Sequence, residues 1–419
     1  MILNLIIQKL KKCSYNRVSA INAAFQIRLS LPAMNIGFDA KRAFHNSTGL
    51  GVYSRVLLTL LAQHFPEHEY FLFNPRPGNL YQPTGPHVHE IQPQKTIHKI
   101  LKGAWRSRWV ISDVQKLGID LYHGLSHEIP VGIGKTGTAS VVTIHDMFPE
   151  IYPGNFKPID LKIYRAKTRY ACTHSTRILA ISHETKKHIV GIYNIDPEKI
   201  DVIHQSYDPA FDSMATAEQK ALVRKKYNLP AEYFLHVGTI IERKNLLNIC
   251  KAINLIKNEI NTPLVVIGNG KEYKEKVKAY LTEKKLGHRV IFLSDALAAA
   301  GDSPFIAAED MPAIYQMSKA MIYPSFYEGF GIPVAEGLAS GVPVITSNTS
   351  CLPEAGGDAA LYVSPGSPEE MAEAFRKIYS DAQLVASMRE KGFEHVKKFE
   401  QEAYVKAVMN MYHKTLNLA

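Results

Sequence analysis

Glu328 and Glu336 lie in the stretch Tyr327-Glu328-Gly329-Phe330-Gly331-Ile332-Pro333-Val334-Ala335-Glu336, where a glycine-rich turn leads into an apolar segment. Gly329 and Gly331 flank Phe330, so the backbone can take positive φ and approach a ligand without Cβ interference. Pro333 fits the first position of a helix. Such a helix turns its free N–H groups and positive dipole end toward the turn, where a pyrophosphate is stabilised without a metal. Carboxylates repel phosphate but accept hydrogen bonds from hydroxyls. With Glu328 in the turn and Glu336 about one turn into the helix, one acid suits a sugar and the other a ribose. Phe330, Gly331, Ile332, Pro333 and the two acids are thus candidate contacts for a nucleotide sugar. The spacing alone leaves open an ordinary turn with two surface acids.

Alternating strands and helices must hold this turn in place. From Met34 strands are expected at Asn35 to Asp39, Tyr70 to Phe73, Leu121-Tyr122, Ser140 to Ile144 and Arg177 to Ile181, with a helix from Val52 to His64. A second series runs through Tyr233 to Val237, Leu264 to Ile267, Val290 to Leu293, Ala320 to Tyr323 and Val344-Ile345. This α/β alternation predicts two Rossmann-like, doubly wound parallel-sheet domains, over 34–207 and 208–400, facing a central cleft. The turn-rich segment His204 to Ala215 is the expected linker. A last helix is expected from about Gln401, within 401–419.

Other reactive side chains sit where strands should end. His145-Asp146 follows Ser140 to Ile144, and Asp146 either orients His145 or caps the next turn. Arg243-Lys244 follows the first strand of the second domain, and an Arg fork with a Lys point charge suits a diphosphate. Asn46-Ser47-Thr48-Gly49-Leu50-Gly51 is half of a dinucleotide fingerprint, but Phe71-Leu72-Phe73 runs into Asn74 with no ribose-holding acid, which weakens a nicotinamide reading. No Asp-x-Asp pair occurs, so the usual carboxylates for a metal-bound nucleotide sugar are missing and no metal is expected.

The 419 residues suit two domains, and the composition, 46% hydrophobic and 21% charged, is that of a globular chain with no run able to span a membrane. Cys13, Cys172, Cys250 and Cys351 are too scattered for a disulfide framework or zinc site, favouring a reducing, cytoplasmic setting. Half of the +10 net charge falls in residues 1–33, which contain Lys9, Lys11, Lys12, Arg17, Arg28 and no acid. This extension reads as an interfacial helix or, preferred here, as a poorly ordered leader to a start at Met34. Residues 95–109 hold Lys95, Lys99, Lys102, Arg106 and Arg108 with Ile97, Leu101 and both tryptophans. They predict a basic amphipathic helix, either packed on the core or peripheral on an anionic membrane surface. No nucleic-acid-binding motif accompanies the charge.

Beyond the first turn, Tyr323-Pro324-Ser325, Ser347, Leu352-Pro353-Glu354 and Gly356-Gly357-Asp358-Ala359-Ala360 complete a pattern that resembles retaining glycosyltransferase family 4, of GT-B fold. The resemblance runs from about Met34 to the C-terminus and implies that the helix within 401–419 packs back on the first domain. It implies a donor site in which His145 contacts the sugar beside Glu328, Arg243 and Lys244 hold the diphosphate, Glu336 binds the ribose, and Gly49 and Gly51 approach the donor phosphates. His123 and His127, with Asp146, are expected on the acceptor side, the alternative being that either His is an ordinary loop histidine. The resemblance implies transfer of a hexose with retention, without metal or other cofactor, to a glycan or lipid-linked saccharide of the cell surface. The first domain's opening and Thr143-Ile144-His145-Asp146 are similar to bacterial mannosyltransferases, favouring GDP-mannose. Ser294 to Pro304 is longer than the family's usual turn, where the base is bound, so base specificity is left open. The alternatives are a nucleotide-sugar epimerase of the same architecture, a dehydrogenase using the Gly49 loop, and a non-catalytic scaffold.

Overall fold

The computed structural model describes residues 32–417. Most of the 1–33 extension, Cys13 included, and the last two residues lie outside the described residues. The first half is a seven-stranded sheet built from β1 (Asn35–Asp39), β2 (Glu69–Phe73), β3 (Val88–Ile91), β4 (Leu121–Gly124), β5 (Ala139–Ile144), β6 (Arg177–Ala180) and β7 (Ile200–Val202), in the order β3-β2-β1-β4-β5-β6-β7. The second half is a six-stranded sheet of β8 (Phe234–Val237), β9 (Leu264–Ile267), β10 (Val290–Phe292), β11 (Ala320–Tyr323), β12 (Val344–Ser347) and β13 (Ala360–Val363), ordered β10-β9-β8-β11-β12-β13. Every pairing is parallel.

Parallel strands carry helices on both faces, so their central members are apolar along their whole length. Leu264–Ile267 and Ala320–Tyr323 are buried at every position. Strand order reverses between β1 and β4 in one sheet and between β8 and β11 in the other, and ligands of such sheets bind outside the carboxyl ends of strands at that reversal. The helix Gln401–Thr415 returns to the first half: it packs on the helix Gly49–His64, and Lys414 Nζ lies 3.0 Å from Asp201 Oδ1.

Several elements differ from expectation. A short helix, Lys41–His45, follows β1, and the helix expected from Val52 starts at Gly49, because its glycines lie inside the first turn. Strands β3, β7 and β13 were not foreseen; β3 and β7 are short edge strands with exposed or polar positions. Residues 95–109 form no single amphipathic helix. The helix Thr96–Ile100 stops, and a wide turn at Trp105–Trp109 leads into the helix Val110–Lys116. Trp105 is fully buried and its indole N–H donates to Asp113 Oδ2 at 2.7 Å, while the Arg106 guanidinium is drawn inward between Asp39 and Glu128. Ile97 and Ile100 remain 50% and 70% exposed. The long segment after β10 is not an open turn, since the helix Leu293–Ala299 fills its first part. Among the described residues no helix is long and apolar enough to cross a membrane.

Candidate active site

At the carboxyl ends of β8 and β11 the buried Glu328 carboxylate lies between two cations. Arg243 Nη1 is 2.6 Å from Glu328 Oε2, and Lys244 Nζ is 2.7 Å from Oε1. The Tyr323 hydroxyl donates to Oε1 at 3.2 Å and also accepts from Lys244. Burial pushes the Glu328 carboxyl up, but Lys244 and Arg243 outweigh it and hold it below the usual carboxylate range. Burial likewise lowers Lys244. Two cations against one carboxylate leave a net positive charge, which suits an arriving diphosphate. Beyond Glu328 the backbone turns at Gly331, with φ of 107°, into the helix Ile332–Ala339. Among the described residues no protein group accepts from the N–H of Phe330, Gly331 or Ile332. Glu336 is half-buried on this helix; Tyr315 Oη donates to its Oε2 at 2.8 Å, and burial, with the charge of Asp208, pushes the carboxyl up to about 7.

Across the cleft His145 follows β5. Its Nε2–H donates to the Leu125 carbonyl at 2.9 Å, and its Nδ1 accepts from Gln205 Nε2 at 3.1 Å, which fixes the tautomer. The ring meets Tyr53 edge-on at 4.6 Å. A sugar hydroxyl can reach Nδ1 only by displacing Gln205. The backbone N–H of His145 donates to His127 Nε2 at 3.3 Å, His127 Nδ1–H to Tyr164 Oη at 3.0 Å, and the Tyr164 hydroxyl to the Asp146 carbonyl at 3.2 Å. Asp146 itself caps the next turn: its Oδ1 accepts from Phe148 N–H at 2.9 Å, and it makes no hydrogen bond to the His145 ring.

A cavity of about 420 Å³ opens on the first-half side of this cleft, walled by Arg42, Leu50, His127, Asp146, Phe148 and Tyr164 among others. Arg243, stacked on the Phe148 ring at 5.2 Å, is its one lining residue from the second half, so the cavity joins the cation cluster. Aromatic faces beside polar groups suit a saccharide. Leu50 brings in the start of the helix Gly49–His64, whose Thr48 hydroxyl bonds Asn46 Oδ1 instead of capping it, and no protein group among the described residues accepts from the N–H of Gly49 or Leu50. Gly49 has open space beside it, as a backbone contact to a ligand requires. Gly51 has another reason to be glycine: a Cβ there would sit 1.8 Å from the Asn46 carbonyl oxygen.

The structure thus gathers His127, His145, Asp146, Arg243, Lys244, Glu328, Gly331, Ile332, Pro333 and Glu336 around one cleft. It does not gather His123 or the Phe330 ring. His123 is fully buried, with Nδ1 2.6 Å from Tyr412 Oη and Nε2 2.8 Å from Thr143 Oγ1, so it ties the returning helix to the sheet rather than facing an acceptor. The buried Phe330 ring packs on His204 and Phe399, at 5.4 and 5.0 Å. Sequence reasoning missed Gln205, which lies in the expected linker, and Tyr315 and Tyr323, which read as strand and helix core. It also misjudged Gly329. That residue lacks positive φ, and a Cβ there would lie 2.1 Å from the His145 carbonyl oxygen, so glycine is needed where the halves touch. At the end of β2, where a dinucleotide site needs an acid, the buried Asn74 bonds His45 and Glu90. The His and carboxylate groups close enough to share a metal ion, among the described residues, are His183, His204 and Glu354, none of which lines the cavity.

Burial lowers His123, His127 and His145 to about 3 and His236 to about 4, so these four are neutral at pH 7, and it lowers His188, His395 and His413 as well. Held neutral, His145 has no acidic proton to give a leaving group, and its lowered basicity makes it a weak base, which suits positioning. Because the unfolded groups titrate near 6.5, unfolding takes up protons below that pH, and stability falls as pH drops from 6.5 toward 4. Each imidazole contributes up to about 1.4 kcal/mol per pH unit. Glu336, raised from 4.5, acts in the opposite sense between 4.5 and 7, and Asp146, raised by burial, acts so above its usual range, but these two acids are outnumbered by the imidazoles. The melting temperature is expected to fall by about 5 °C or more between pH 7 and pH 5. An unchanged midpoint in calorimetry would contradict neutral burial of these rings.

Residues 47–211 match the model of Glycosyltransferase Family 4, and residues 219–395 match Glycosyl transferases group 1. O-antigen chain mannosyltransferase B of Escherichia coli is 26% identical over 311 residues, 73% of this chain and 77% of that protein. O-antigen chain mannosyltransferase RfbU of Salmonella typhimurium is 27% identical over 252 residues, 60% of this chain and 63% of the relative, less than two thirds of its length. A crystal structure of a glycosyltransferase from Rickettsia africae superposes with a TM-score of 0.69 over 93% of this chain and 100% of its own, at 17% identity, a likeness of fold. With its two facing parallel-sheet halves, the chain belongs to the group 1 glycosyltransferases of family 4 and has their GT-B fold.

Proposed function

We propose that this enzyme moves a hexose, with mannose from GDP-mannose favoured, from a nucleotide-diphosphate sugar to a glycan or lipid-linked saccharide acceptor of cell-surface polysaccharide synthesis, with retention and without a metal. The observation that carries the reading is the buried Arg243–Glu328–Lys244 cluster, which shares Arg243 with the saccharide-sized cavity. Arg243, Lys244 and the free N–H groups at Phe330 to Ile332 would meet the charge of the departing diphosphate, electrostatic stabilisation aimed where charge develops. Glu328 would hold sugar hydroxyls and keep the two cations in place. Glu336 would take the ribose. His145, neutral and pinned by Leu125 and Gln205, would position the sugar. The departing phosphate is left to accept the proton of the acceptor hydroxyl, so no protein nucleophile is assigned. Two relatives named as mannosyltransferases support the choice of sugar.

A thermal-shift and product screen against GDP-mannose, UDP-glucose, UDP-N-acetylglucosamine and NADH tests this. One sugar nucleotide should stabilise the protein and slowly lose its sugar, and Glu336→Ala should abolish the stabilisation. A response to NADH alone, or to none, would contradict it. In the same screen, pelleting with anionic but not neutral vesicles would place the exposed Ile97 and Ile100, beside Lys99 and Lys102, at a membrane surface; no pelleting would remove that contact.

A further inference from the structure

The helix His183–Tyr193 belongs to the first half, and its Ser182 cap accepts from the Thr185 N–H. The two donors ahead of that are taken by the second half. Glu354 Oε2 accepts from the His183 N–H at 2.7 Å, and its Oε1 from the Glu184 N–H at 2.9 Å. His204, in the segment that joins the halves, donates from Nε2 to the same Oε2 at 3.0 Å. A carboxylate across a helix start is favoured by the dipole and by charge-assisted hydrogen bonds. Burial pushes the Glu354 carboxyl up, and His204 with the two N–H groups outweighs it, holding it below the usual carboxylate range.

The other end of this short stretch reaches the donor site. Ser350 Oγ accepts from the Glu328 N–H at 3.1 Å and donates to the Glu328 carbonyl at 2.6 Å, and Cys351 Sγ donates to the same carbonyl at 3.1 Å. Ser350 holds a φ of 58°, in the region that favours glycine, so the turn is kept there by its contacts. Glu354 follows in the helix Leu352–Gly356. Five consecutive residues therefore grip Glu328 at one end and the first half at the other. Nearby the seam is also touched by the Met147 N–H, which donates to Tyr327 Oη at 3.1 Å, and by Gly329 against the His145 carbonyl.

We propose that Glu354 is a positioning residue: its clasp on the start of the helix at His183, shared with His204, sets the two halves at the angle that brings His145 and Glu328 to the same substrate. The proposal rests on the transfer reading above. Glu354 does not line the cavity, so its loss should slow the chemical step and spare donor affinity. A divalent ion bridging His183, His204 and Glu354, whose ligand atoms lie within 4.8 Å of one another, is the competing tie. In the structure both carboxylate oxygens are filled by N–H donors, which favours the hydrogen-bonded clasp.

The test is Glu354→Gln in the full chain. The amide keeps one acceptor oxygen but sets an N–H donor against the other helix N–H and removes the charge, so hydrogen exchange of the peptide spanning 183–185 should rise at least about tenfold. Turnover of the donor identified in the screen should fall about tenfold or more with its KM within about twofold. His204→Gln, which breaks one of three contacts, should give a smaller change in the same direction and serves if Glu354→Gln does not fold. Unchanged turnover, or a KM that rises as far as kcat falls, would overturn the proposal. So would wild-type protein in EDTA reproducing the variant's exchange and rate, since the tie would then be a metal ion. Exchange needs no donor: if the wild type turns over no sugar nucleotide, the transfer reading fails, and faster exchange in the variant would still show the clasp.

Discussion

Glu328→Gln is expected to lower turnover at least about 100-fold while leaving a folded protein. The substitution keeps shape and one acceptor oxygen but removes the charge that lies 2.6 Å from Arg243 and 2.7 Å from Lys244. Two cations then face each other with no counter-charge in a buried site. Burial already lowers Lys244, so it is the group that sheds its proton, and the cluster loses both the grip on sugar hydroxyls and part of its attraction for diphosphate. Glu328→Ala is a poorer probe, because removing one member of a buried ion pair costs about 3–5 kcal/mol and mixes stability with chemistry. Steady-state rates with a melting curve for each variant separate the two. Near-normal turnover in folded Glu328→Gln would remove Glu328 from the reaction.

Gly329→Ala should lower turnover by about 100-fold through geometry alone. The added Cβ would lie 2.1 Å from the His145 carbonyl oxygen and 3.2 Å from Ile181 Cδ1, and the nearer neighbour is backbone that cannot rotate away. The halves must part by about 1 Å at the point where His145 meets the donor turn, a displacement large enough to cost two orders of magnitude in rate. Arg243, Lys244 and Glu336 all lie in the second half, so stabilisation by the nucleotide should survive. Activity within about twofold of wild type would mean that the seam yields and that its closeness is not needed.

Much of this was legible in the sequence because the relevant physics is local. Central strands such as Leu264–Ile267 are continuous apolar runs, and the turn at Gly331 carries its own glycine and proline signals. His145 could be placed because it directly follows such a strand, and Arg243 and Lys244 because they lie in the loop just beyond one. Edge strands failed for the opposite reason: Ile200-Asp201-Val202 is three residues long with one charge, and its pairing with β6 is a tertiary fact. Burial decided His123. Nothing near it announces that Tyr412, at the far end of the chain, will occupy its Nδ1. Gln205 and Gly329 are likewise defined by contacts with His145 across the fold. In residues 95–109 the helix ends at Ile100, and Arg106 beyond it is paired inward with Asp39 and Glu128, tertiary contacts that a helical pattern of basic residues conceals.

The most direct test of the account is proton NMR of the anomeric signal during turnover of the donor found in the screen, in buffer containing EDTA. The account predicts that sugar leaves the nucleotide at an undiminished rate and that the first product carries the donor's own anomeric configuration. An inverted anomer, or activity abolished by EDTA and restored by manganese, would contradict it.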